Sequence, residues 1–115
     1  MPSYTVPFIP ASLNRFAGRN NVWAYRAEKQ RWKDLCAAYC RPRPTKPIAR
    51  AAVGLTFVFP DRKRRDLDNL VKYVTDGLVA AGIIKDDCWQ CMELDLRGRY
   101  DKGKGRTEIV VEELI

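Results

Sequence analysis

The sequence predicts one α+β domain in which a small mixed β-sheet is packed by two main helices. Three observations carry that reading. The chain has 115 residues of which 46% are hydrophobic, enough for a single core without disulfides. Several short stretches alternate apolar with polar residues, as half-buried strands do. Two longer stretches bring apolar residues back at helical spacing. No internal repeat, low-complexity tract or second domain is visible, so residues 1–115 are read as one domain.

Taken in order, Tyr4, Val6 and Phe8 alternate with Ser3, Thr5 and Pro7, which predicts a short edge strand ended by Pro10. Residues 11–21 are rich in Asn, Gly and Arg and lack an apolar period, so they read as a loop, with Asn14 and Arg15 candidates to face DNA. From Trp23 to Cys40, the residues Tyr25, Trp32, Leu35, Cys36 and Tyr39 form an apolar stripe, and Pro42 and Pro44 forbid continuation of that helix. Its aromatics are expected in the core rather than on nucleic-acid bases. Residues 41–50 hold four bases and three prolines and read as an extended connector.

A second strand follows at Val53, Leu55, Phe57 and Phe59, closed by Pro60. The second helix is marked by Leu67, Leu70, Val71, Val74, Leu78 and Ala81 on one side, with Gly82 as its stop. Met92, Leu94 and Leu96 alternate with Glu93, Asp95 and Arg97, and Thr107 to Val111 is a β-branched run. The polar tract Gly98–Gly105 between these last two predicts that they form a hairpin.

Charge is unevenly spread along the chain. Residues 1–60 carry ten bases and two acids, giving +8, whereas the remainder carries eleven bases and twelve acids, giving −1. A basic first half beside an acid-bearing second half suits a protein that holds phosphate with one part and a metal with the other. A purely solubilising basic surface is the plainer alternative. No stretch reaches the roughly 20 apolar residues a membrane span needs, and the first ten residues lack a secretion signal, so a cytoplasmic protein without a membrane partner is expected. In that reducing compartment Cys36, Cys40, Cys88 and Cys91 should be free thiols. Their C-x₃-C and C-x₂-C spacings allow a four-thiolate zinc site, but the first pair falls on an apolar helix face, which favours burial instead.

The chemistry concentrates in residues 60–87, PDRKRRDLDNLVKYVTDGLVAAGIIKDD. Asp68, Asn69, Lys72 and Asp76 point away from the apolar stripe, and Asp66 lies at or just before the first turn. One Asp at a helix N-terminus is explained by capping. Capping explains less well a second carboxylate two residues on and a further pair, Asp86 and Asp87, beyond the helix. Acids brought together repel unless a cation joins them, and a hard divalent metal removes that penalty. Arg62, Lys63, Arg64 and Arg65 immediately before them would attract phosphate. That juxtaposition fits phosphodiester hydrolysis, in which a metal polarises the phosphoryl oxygen and activates water while a nearby Lys offsets developing charge.

The same segment resembles the RusA family of Holliday-junction resolvases, which carry a P-D-x-x-x-R-D-x-D-N-x-x-K tract and, after a helix, G-x-x-x-D-D. Pro60 to Asp87 fill every one of those positions, and residues 9–15, IPASLNR, resemble the family's segment after its first strand. The resemblance implies a homodimeric, bacterial or phage-encoded enzyme that nicks two opposing strands of four-way junction DNA, using Mg²⁺ with Mn²⁺ as a substitute. It implies that Asp66, Asp68 and Asp87 are the essential metal-binding and catalytic aspartates, that Lys72 is the important catalytic lysine, and that Asp86 is an acidic neighbour and a further candidate metal ligand. Arg62, Lys63, Arg64, Arg65, Asn69, Asn14 and Arg15 are the expected DNA contacts. Residues Cys88–Cys91 depart from the small polar and aliphatic residues expected after the acid pair. The alternatives are the same chemistry on forks, flaps or RNA, and a non-catalytic DNA-binding protein, against which the intact acid set argues.

Overall fold

The computed structural model describes residues 2–12 and 22–115. Its elements are β1 (Ser3–Val6), α1 (Val22–Tyr39), β2 (Ala51–Phe59), α2 (Asp68–Ala80), β3 (Met92–Tyr100) and β4 (Arg106–Glu113). The strands form one mixed sheet in the order β1-β4-β2-β3, with β2 parallel to β3 and antiparallel to β4. This is the expected α+β layout of a small mixed sheet packed by two helices. β1 is an edge strand, as predicted, and stops before Phe8 because Pro7 has no N–H to give a ladder. The Phe8 carbonyl instead accepts a hydrogen bond from Thr107 Oγ1 at 2.8 Å.

The predicted hairpin between the last two strands does not form. β2 lies between β3 and β4 and pairs with both. Alternation marks a strand but not its neighbour, and the connecting residues 101–105 are long enough to step over one strand. Five extended residues reach about 17 Å, against roughly 10 Å for two strand spacings. The step is fastened to the end of β2, since Asp101 N donates to the Phe59 carbonyl at 2.9 Å and Gly103 N to the Pro60 carbonyl at 3.0 Å. Gly103 takes the positive φ of 73° that this turn requires.

The core forms where one face of the sheet meets the helices. Val53, Leu55 and Phe57 of β2, Tyr4 and Val6 of β1 and Ile109 and Val111 of β4 are buried together with Trp32 and Cys36 of α1 and Leu70, Val74 and Leu78 of α2. Each such side chain contributes roughly 1.5–3 kcal/mol by leaving water. Of the α1 stripe, Trp32 and Cys36 are buried and Tyr25 and Leu35 partly so, while Tyr39 stays exposed with its ring edge against Phe8. The helices cross closely at Gly77, where a Cβ would lie 2.8 Å from the Trp32 carbonyl oxygen and 2.7 Å from Cys36 Sγ. Cys36 and Cys40 are thus buried thiols, as their place on the apolar face implied.

Glu28 is a charged group inside this layer. Its carboxylate accepts hydrogen bonds from Ala11 N at 2.8 Å, Trp32 Nε1 at 3.2 Å and Arg31 at 3.1 Å. With its lone pairs occupied, the buried charge is compensated and ties the end of the segment after β1 to α1. Among the described residues no helix is long and apolar enough to cross a membrane.

Candidate active site

The acid tract is delivered by both ends of α2. At its N-terminal side, residues 60–67 leave β2 and enter the helix, whose N-cap is Leu67, with no side-chain capping bond. Asp66 therefore does not cap the helix with its carboxylate. It is half exposed, and Arg64 lies 3.5 Å from its Oδ1. Asp68, the first residue of α2, is exposed and its carboxylate has no protein partner among the described residues.

At the other end, Gly82 reverses the chain with a φ of 77° that a side chain would resist. Ile83 and Ile84 are then buried, and the strand-like bridge between Ile48 and Ile84 fixes the return path. Ile48 N donates to the Ile83 carbonyl at 3.0 Å, and Lys85 N to the Ile48 carbonyl at 2.9 Å. This clamp brings Asp86 and Asp87 back beside the polar face of α2. Asp86 accepts the Asp87 N–H at 2.8 Å and so shapes the loop that presents Asp87.

Lys72 joins the two halves. Its Nζ is 2.9 Å from Asp87 Oδ2 and also 2.9 Å from Asp76 Oδ1, one helical turn further along α2. Hydrogen bonds to Asp87 first, and to Asp76 second, hold the Lys72 ammonium charged and raise its pKa. The reciprocal bond from Lys72 holds the Asp87 carboxyl below its ordinary value. Asp68 sits one turn before Lys72 on the same face, so Asp68, Lys72 and Asp76 form a row along the helix with Asp87 alongside. Among the described residues, no three carboxylate, imidazole or thiol side chains are close enough to hold one metal ion. Asp66, Asp68 and Asp87 therefore form no closed metal cage among the described residues. None of the four cysteines belongs to such a group among the described residues; Cys88 and Cys91 lie in the turn before β3, where Cys91 N donates to the Cys88 carbonyl.

The basic run is not uniform. Arg65 makes a two-pronged ion pair with Asp61, at 2.7 and 3.2 Å, and lies over the Phe59 ring at 4.9 Å. The Arg65 bond, reinforced by the Lys63 N–H, holds Asp61 down to about 2. Arg62 stacks over Tyr100 at 4.2 Å, whereas the side chain of Arg64 is 89% exposed. Lys63 is exposed and Asn69 partly so at the start of α2. Asn14 and Arg15 lie outside the described residues. Sequence reasoning placed Asp76 on the polar face but left it out of the site, and it missed Asp61 as the partner of Arg65. The i,i+4 spacings of Lys72 with Asp76 and of Asp61 with Arg65 were the available signals.

Comparison with known proteins identifies the family. A family model described as Endodeoxyribonuclease RusA matches residues 7–112. The chain is similar to a crossover junction endodeoxyribonuclease RusA of Escherichia coli (strain K12), at 33% identity over 97% of this chain and 94% of the relative. A protein of the same description from Aquifex aeolicus (strain VF5) is 42% identical over 46% of this chain and 41% of its own length. One from Enterobacteria phage HK97 is 29% identical over 73% of this chain and 72% of its own.

Proposed function

The chain belongs to the RusA family of endodeoxyribonucleases, and we propose that it hydrolyses phosphodiester bonds of four-way junction DNA at a site built from Asp66, Asp68, Lys72 and Asp87. Its activity is that of a Holliday-junction-resolving endodeoxyribonuclease of DNA recombination and repair. The observation that carries the site assignment is the contact of Lys72 with Asp87, which draws the loop acid to the helix that bears Asp68. Tract residues far apart in the chain thereby meet on one surface.

The donor set fits a hard divalent cation. Every candidate ligand is a carboxylate, and Mg²⁺ commonly takes one or two carboxylates together with phosphate oxygens of the substrate rather than a complete protein cage. Asp66, Asp68 and Asp87 would hold it, with Asp86 shaping the loop of Asp87, and Mn²⁺ would serve in place of Mg²⁺. When bound, such an ion polarises a phosphoryl oxygen and lowers the pKa of water. The protein's own groups bind and orient the strand. Lys72 offers an ammonium to the phosphate beside the acids, and Arg64, Lys63 and Arg62 extend positive charge along the approach from β2.

Two symmetric nicks require two sites, and a two-fold homodimer supplies them. Sedimentation should then report roughly twice the 13.2 kDa of the chain. A cytoplasmic location follows for an enzyme acting on recombining DNA. The deciding experiment incubates a labelled synthetic four-way junction and a matched linear duplex with the protein, with and without Mg²⁺. Paired nicks in the junction that need the cation, with the duplex left intact, are expected. Equal cutting of both substrates would overturn junction selectivity, and cutting undiminished by a chelator would overturn the cation requirement.

A further inference from the structure

The double engagement of Lys72 raises a difficulty for the function proposed above. One oxygen of Asp87 is already taken by the lysine at 2.9 Å, so this carboxylate is offered to two cations, the ammonium and a divalent ion. A lysine with no other partner would have to be stripped from Asp87 and left with no carboxylate whenever Asp87 served as a ligand. The structure gives it a second partner at the same distance, Asp76. Both carboxylate side chains are only 22% exposed, whereas that of Lys72 is 54% exposed, so the lysine bridges two acids that sit closer to the protein body.

Helix stability gives only a weak reason for Asp76. The favourable order for an i,i+4 ion pair puts the acid N-terminal to the base, and here the base comes first. An acid in the C-terminal half of α2 also faces the negative end of the helix dipole. What the position does provide is an anchor on the lysine's own helix, one turn away, whose distance does not depend on the loop that carries Asp87.

We propose that Asp76 is a positioning residue that retains Lys72 on α2 when Asp87 turns to a divalent cation. Asp87 is thereby released for metal binding without losing the lysine from the site. This inference rests on the assignment of Asp87 as a metal ligand. It assigns Asp76 no contact with metal or DNA.

The test is a double-mutant cycle on cation affinity, measured by Mn²⁺ titration calorimetry without DNA and, separately, as the Mg²⁺ concentration giving half-maximal junction nicking. In the wild-type background Asp76→Asn leaves Lys72 with Asp87 alone, and the half-saturating Mn²⁺ concentration should rise roughly tenfold, as coupled neighbours do. In the Lys72→Met background no lysine competes for Asp87, and Asp76→Asn should shift it less than about twofold. Asp76→Glu keeps the carboxylate and should stay near wild type. An equal shift in both backgrounds would reduce Asp76 to a distant negative charge and overturn the proposal, as would no shift in either. If the wild-type protein binds no Mn²⁺ and cuts no junction, the functional reading fails first. Cation-dependent cutting with an unchanged Asp76→Asn refutes the role of Asp76 alone.

Discussion

Replacing Asp68 with Asn should separate chemistry from binding. The side chain has no protein partner among the described residues and is exposed at the first position of α2. Its loss to the fold is confined to the favourable placement of a carboxylate at a helix N-terminus, about 0.3–1 kcal/mol. In a domain of this size that lowers Tm by a few degrees at most, about 5 °C. The loss expected in catalysis is much larger. A unit charge 4 Å from its partner at an effective dielectric constant of 20 is worth about 4 kcal/mol, which corresponds to roughly a thousandfold in rate. Junction affinity should stay equal or rise, because a negative charge leaves the phosphate surface. Single-turnover nicking, gel-shift affinity and thermal unfolding on one preparation measure all three. Wild-type cleavage by the mutant would refute the metal site, and loss of binding in step with cleavage would refute the division of labour.

The structure distinguishes arginines that look alike in sequence. Arg64→Ala should flatten the dependence of log junction affinity on log salt by about 0.9, whereas Arg65→Ala, whose guanidinium is committed to Asp61, should change it by less than half as much. Gly77→Ala forces a Cβ into the α1–α2 crossing and should cost about 1–3 kcal/mol in denaturant unfolding, with the slope unchanged. The Asp61 carboxyl, held down from 3.8 to about 2, is a group whose folded pKa lies below its unfolded one. Its stabilising contribution is therefore complete above the unfolded value and disappears as pH falls through about 2. Carboxyl carbon NMR should show that midpoint, and Arg65→Ala should return it to the ordinary range.

Much of the site was legible because its chemistry is contiguous. The period of α2 separates Leu70, Val74 and Leu78 from Asp68, Lys72 and Asp76 by arithmetic alone, and Gly82 announced the turn. The partnership of Lys72 with Asp87 was not legible. It depends on the clamp between Ile48 and Ile84, a contact between segments 36 residues apart that leaves no periodic trace. The hairpin expectation failed for a related reason. The alternation of Met92–Leu96 and the β-branched run Thr107–Val111 identify strands correctly, but nothing local in either records that β2 comes between them. The run Arg62–Arg65 by itself does not disclose that Arg65 is taken up by Asp61 while Arg64 before it is open to solvent; only the i,i+4 spacing of Asp61 and Arg65 hints at it.

The place of β4 between β1 and β2 has a consequence for how the chain assembles. Among the described residues β1 has its only strand neighbour in β4, with Ser3 opposite Val110 and Val6 opposite Thr107, so roughly a hundred residues of chain must be closed into a loop before it gains that sheet partner. Contacts of such sequence separation slow folding, since loop entropy is lost before pairing returns any energy. The β2-α2-β3 unit, by contrast, is contiguous and carries Asp66, Asp68, Lys72 and Asp87. During synthesis it is complete before β4 emerges, leaving β2 with an unpaired edge for that interval. Pulse-labelled hydrogen exchange during refolding should therefore show amides of β1 and β4 becoming protected together, and later than those of α2.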